Sequence, residues 1–331
     1  MKFFFDCRTV LIFALLMISH FVKGQEYINP TKNLSVSQSS DTLLFKELVS
    51  NKLMFKLLVK KGTASHFIKF SPSGNFMITS GTADSTNLYQ VDKDKITLTA
   101  TLPVVTEEAV FNPSEKELFL LHSKSLFSTS FSSYSTVSWK KLADTILPFS
   151  AHDLTIDASG SLLGFCESTN LHTLDNSNLK KDKMYWQGTV QRLLTFNPVI
   201  PDQAASVNKE NHIQIRDIKK DTVLMEIKGH IAKIVWLGYD PTGTLLVSLD
   251  NKGYLFTWMP ASKKCVAQFR GLSGIPVFHP NGTLNLSADG HGEEPGFVRQ
   301  RKNAVRESLY GRNYFVEREI RKAGTKSMAV Q

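Results

Sequence analysis

The sequence predicts an all-β fold of six four-stranded antiparallel blades arranged as a β-propeller, with a degenerate seventh blade as the alternative. Three observations carry this. A turn signature recurs as Ser71-Pro72-Ser73-Gly74, Asn112-Pro113, Asp157-Ala158-Ser159-Gly160, Asn197-Pro198, Asp240-Pro241-Thr242-Gly243 and His279-Pro280-Asn281-Gly282. Its second residues are 41, 45, 40, 43 and 39 apart, the spacing of a four-stranded blade. Apolar strands flank each turn. Around Pro241 they are Lys233 to Tyr239, Leu245 to Ser248, Tyr254 to Trp258 and Cys265 to Phe269, joined by turns too short to hold a helix. A further mark closes the third strand of a block: Val91-Asp92, Leu174-Asp175, Arg216-Asp217 and Trp258-Met259.

Taken in order, residues 1–25 read as a secretory signal. Lys2 and Arg8 supply charge, Val10 to Ile18 is an apolar run, and Gly24 is a plausible cleavage position. The run is too short to anchor a bilayer, so no integral membrane anchor is expected after cleavage, and the chain is expected to be secreted or periplasmic. Residues 26–52 read as a lead segment. Leu53 to Val59 reads as a strand that clasps the last blade, because an open ring leaves two unpaired sheet edges. The propeller spans 53–300 in blocks 66–104, 105–147, 148–188, 189–229, 230–271 and 272–300, and 301–331 is a basic tail.

The formal net charge of +9 is concentrated in that tail, so the propeller itself is near balance. Val305, Leu309, Val316 and Ile320 share a helical face. Docking on the propeller is the first reading of the tail, and partner binding the second. An exported chain rarely meets nucleic acid, and no nucleic-acid partner is expected. Cys166 and Cys265 fall on strands of different blocks, beyond the reach of a disulfide.

At this level the chain resembles the WD-repeat family. Gly229-His230 precedes Trp258-Met259 by 28 residues, with Ser248 and Asp250 between them. The resemblance implies that His230, Ser248, Asp250 and Trp258 are linked by hydrogen bonds that brace a blade. Met259 replaces the Asp expected after the Trp, and Ala151-His152 and Ser65-His66 look like weakened copies of Gly229-His230. On this reading His66, His152 and His230 occupy equivalent repeat positions.

No nucleophile elbow, phosphate loop or metal-ligand spacing occurs. No cofactor is expected, and the chain is expected not to be an enzyme. First strands carry Lys69, Glu107, Glu108, Asp153, Arg192 and Lys233 near their starts, a mixture of signs that suits a polar channel better than a metal cage. The expected role is an exported protein-interaction scaffold. Trp186, Asn211 and Asn251 are candidates for the partner-binding face. The alternatives are a channel-site hydrolase or small-ligand binder, as in lactonase-like propellers, and a structural subunit of an envelope complex tethered by its tail.

Overall fold

The computed structural model describes residues 26–288, apart from 40, 49, 60–64, 82–84, 93–94, 126–127, 168–169, 187–191, 279–281 and 283, and then 326–328. The expected signal segment and most of the basic tail lie outside the described residues. The described chain is a propeller of seven antiparallel sheets, six of four strands and one of three. Blade 1 holds β1 (Glu26–Ile28), β2 (Leu34–Ser39), β3 (Thr42–Glu47) and β4 (Leu53–Leu58). Blade 2 holds β5 (Ser65–Phe70), β6 (Phe76–Gly81), β7 (Thr86–Val91) and β8 (Ile96–Leu102). Blade 3 holds β9 (Glu108–Phe111), β10 (Glu117–Ser125), β11 (Ser128–Ser135) and β12 (Lys141–Leu147). Blade 4 holds β13 (His152–Ile156), β14 (Leu162–Cys166), β15 (Asn170–Asp175) and β16 (Asn178–Trp186). Blade 5 holds β17 (Arg192–Phe196), β18 (Gln203–Val207), β19 (Ile213–Asp217) and β20 (Thr222–Ile227). Blade 6 holds β21 (Ile234–Tyr239), β22 (Leu246–Asp250), β23 (Leu255–Met259) and β24 (Lys264–Phe269). Blade 7 holds β25 (Leu272–Phe278), β26 (Leu284–Ala288) and β27 (Lys326–Met328).

Two expectations are corrected here. Residues 26–52 are not a lead segment, and Leu53 to Val59 does not clasp the last blade. β4 pairs with β3, with Phe45 opposite Phe55 and Leu43 opposite Leu57. The sixth four-stranded sheet is therefore the N-terminal one, not the block at 272–300. Its first turn, Asn29-Pro30, is an additional copy of the recurring signature, 42 residues before Pro72. Blade 7 takes its third strand from the basic segment, where Leu284 pairs with Met328. β1 lies beside both β5 and β25, so the first blade meets the last by side-by-side packing of inner strands.

The recurring turn has one chemistry. A short polar acceptor opens it and takes up backbone N–H groups that no ladder reaches. Asn29 Oδ1 accepts from the Lys32 N–H, Asn112 Oδ1 from Lys116, Asp157 Oδ1 from Leu162, Asn197 Oδ1 from Val199 and Asp240 Oδ1 from Leu245. Two of these side chains also tie blade to blade. Asn29 Nδ2 donates to the Gly74 carbonyl, and Asn197 Nδ2 to that of Gly243.

The core lies between blades. Each of six buried clusters joins two neighbours, from blades 1 and 2 through to blades 6 and 7. A middle strand buried on both faces shows no alternation: Leu118, Phe119, Leu120 and Leu121 of β10 are all fully buried. Outer strands alternate instead, leaving Leu53, Leu98, Leu142, Ile146 and Val266 exposed on the perimeter.

Candidate functional site

In this meander, the links between blades and the hairpins between second and third strands open onto one face. Blade 6 presents a closely hydrogen-bonded part of it. His230 Nδ1 lies 3.0 Å from Asp250 Oδ2, and His230 Nε2 lies 2.7 Å from Ser248 Oγ. Trp258 Nε1 donates to the same Ser248 oxygen at 2.8 Å. Donor counting fixes the proton positions. A carboxylate only accepts, so Nδ1 carries the imidazole proton. Burial favours the neutral ring, whose Nε2 is then an acceptor, so the Ser248 hydroxyl donates to Nε2 while its oxygen accepts the indole N–H. Neutral His230 is thus satisfied at both nitrogens. The His230 and Asp250 side chains are 1% and 2% exposed. The Trp258 ring stacks on Phe256 with centroids 5.3 Å apart. It also fills the space beside Gly229, where a Cβ would meet the indole at 2.6 Å.

Two further ties hold the same link. Asn211, in the β18–β19 hairpin, donates from Nδ2 to the Ala232 carbonyl at 2.7 Å and accepts the Ile234 N–H at 2.9 Å. The Asn251 N–H donates to the Lys233 carbonyl at 2.9 Å. Asn211, expected to meet a partner, therefore uses both ends of its amide inside the ring. Its side chain is a clamp between blades 5 and 6. Asn251 is exposed on the same face. Trp186 ends β16, opposite Asn170, and its side chain lies outside the described residues. The clamped link presents Ile231 fully exposed, with Val235 and Tyr254 also exposed on this blade.

Burial pushes the His230 pKa below its ordinary 6.5, with Asp250 pulling the other way. The unfolded chain then takes up a proton first as pH falls through 6.5, so folding loses this contribution between that pH and the depressed native value. We expect the stability advantage of wild type over His230→Asn, measured by urea denaturation, to shrink from pH 7.5 to pH 5.5. A gap that widens over that interval contradicts the assignment.

His66 and His152 are not equivalent to His230. Each lies five residues before its turn residue, Ser71 or Asp157, whereas His230 lies ten before Asp240. Blade 4 has a rearranged brace. Glu167 follows Asp157 by ten residues, as Asp250 follows Asp240. Its Oε2 lies 3.2 Å from Nε2 of buried His172, which stacks on Phe149 at 4.2 Å and Phe165 at 5.4 Å. The histidine has moved from the link to the third strand.

A second cluster lies on the inner strands, where the mixed charges were expected. Glu108 Oε1 accepts the Asp153 N–H at 2.8 Å, and its other oxygen accepts that of Leu154. Asp153 Oδ2 in turn accepts the Leu193 N–H at 2.7 Å. Lys69 Nζ donates to the Ala109 carbonyl at 2.6 Å. Each side chain thus reaches the next inner strand, linking β5, β9, β13 and β17. β-Bulges lie at β13 and β17, and Asp153 and Leu193 sit there at φ of 59° and 58°. Such a backbone is costly for residues other than glycine. It is held here because the carboxylate of the preceding blade satisfies the amide that the bulge frees.

Burial raises the Glu108 pKa, opposed by the Leu154 N–H and raised further by Asp153. Lys69 reaches water locally but lies deep in the ring, and that depth pushes its ammonium pKa down. The Asp153 carboxylate at 2.8 Å raises the pKa of His152. Burial pushes the Cys166 thiol well up. The side chain of Arg192 lies outside the described residues, and Glu107 and Lys233 are exposed. No known family model matches this chain, and no curated protein matches it.

Proposed function

We propose that this protein is an exported, non-enzymatic propeller that docks a protein partner on the link-and-hairpin face of blade 6. The observation that carries the reading is Ile231: a fully exposed isoleucine on a link clamped by His230, Asn211 and Asn251. A rigid apolar side chain loses little entropy on binding, which favours it as an anchor. Val235 and Tyr254 extend the apolar surface, and Lys233, Asn251 and Lys252 give it a polar margin.

The inner carboxylates support a non-catalytic reading, because Glu108 and Asp153 already accept backbone N–H groups. A tail acting as a free tether is less favoured, because Lys326–Met328 pairs with β26. Among the described residues no helix is long and apolar enough to cross a membrane.

The test is affinity capture with Ile231→Asp and Tyr254→Ala. An anchor of this kind contributes about 2 kcal/mol or more, so the partner should bind about thirtyfold more weakly. The melting temperature should hold, because exposed substitutions shift stability by only about 0.5 kcal/mol. Undiminished binding by both variants would overturn the face assignment.

A further inference from the structure

We propose that His152, Asp153 and Cys166 form a binding site for a zinc-type divalent cation on the inner wall of blade 4. One ligand atom from each lies within 4.8 Å of the others. The placement follows from the bulge. In a regular strand His152 and Asp153 would point to opposite faces. With Asp153 at φ 59° the two side chains turn together, and His152 Nδ1 meets Asp153 Oδ2 at 2.8 Å. Cys166 is brought in from β14 as the register partner of His152.

The donor set selects the metal class. Imidazole nitrogen, carboxylate oxygen and sulfur together suit zinc or cobalt(II), whereas calcium and magnesium take oxygen alone. Bond lengths of about 2.0 to 2.3 Å place tetrahedral ligands roughly 3.3 to 3.8 Å apart, so binding rearranges side chains whose ligand atoms now lie within 4.8 Å of one another. Access is available, because the His152 side chain is 40% exposed while Cys166 is buried behind it. Surroundings that tune a metal site are also present. Glu108 fixes the backbone at Asp153, and Asp153 accepts the Leu193 N–H. Three protein ligands leave a fourth position toward the water that reaches His152. On binding, the Cys166 S–H bond breaks, its proton goes to solvent and a metal–thiolate bond forms.

The experiment uses the full chain carrying Cys7→Ser and Cys265→Ser, so that Cys166 is the sole thiol. The protein is stripped with chelator and titrated with cobalt(II). The expected result is a thiolate-to-cobalt charge-transfer band in the near ultraviolet that saturates at one equivalent and is displaced by zinc. His152→Ala should weaken binding at least tenfold, and Cys166→Ser should abolish the band. Absence of the band in the folded sole-thiol protein at stoichiometric cobalt overturns the proposal. So does a cobalt spectrum that Cys166→Ser leaves unchanged.

Discussion

Trp258→Ala is expected to lower the unfolding free energy by about 3–5 kcal/mol, the range for removing a large buried aromatic. Trp258 packs with Ile213, Ile215, Leu237 and Tyr239, so its removal hollows the interface between blades 5 and 6. It also strips the donor that orients Ser248, and with it the hydroxyl that satisfies His230 Nε2. Trp258→Phe separates the two effects. It keeps an aromatic ring beside Gly229 but loses the N–H, and should cost only about 1–2 kcal/mol beyond its smaller volume. Urea denaturation of the three proteins checks both values. Equal losses for Ala and Phe would mean that the hydrogen bond, and not packing, dominates at this position.

Gly253→Ala is expected to rank second, at about 2–4 kcal/mol from the left-handed backbone and the contact together. Gly253 has φ 77°, and an added Cβ would lie 2.6 Å from the Leu272 carbonyl oxygen. That neighbour is backbone and cannot swing away. The same two residues share a hydrogen bond from the Leu272 N–H to the Gly253 carbonyl at 3.2 Å, which ties blade 6 to blade 7. The substitution should therefore loosen blade 7 before the rest, seen as faster amide exchange in β25 at a temperature where β21 stays protected. Uniform exchange across both blades would contradict it. Gly282, with open space around its Cβ position, is the control.

The blade period was legible because each turn needs a short polar acceptor at its head, and Asp, Asn and Ser advertise that need. Asn29-Pro30 carries the same signal, but it directly follows the short β1 and so lacks a long apolar strand before it. Without a blade upstream, Leu53 to Val59 reads as a clasp for the last blade, although its exposed outer-strand pattern is that of β8 and β12. The grouping of His230, Ser248, Asp250 and Trp258 is an implication of the repeat-family resemblance, and the hydrogen bonds among them are present in the fold. The role of Asn211 was not, because its partners, Ala232 and Ile234, are backbone groups in the next blade. Lys69, Glu108 and Asp153 lie on inner strands, and their use is not visible in the sequence. Mixed signs suggested a solvated channel, and only the bulges show that Glu108 and Asp153 hold the neighbouring strand. The gathering of His152 with Cys166 depends on strand register at a bulge, which sequence periodicity does not reveal.

The proposed function places a protein partner on the face at Ile231. The most direct measurement places a photo-crosslinking amino acid at position 231 and, in a second protein, at position 137. Val137 is also highly exposed, in the β11–β12 turn on the opposite face. Irradiation in the native host should give one dominant crosslinked partner from position 231 and none from 137. The same partner from 137, or no specific product from 231, would contradict the account.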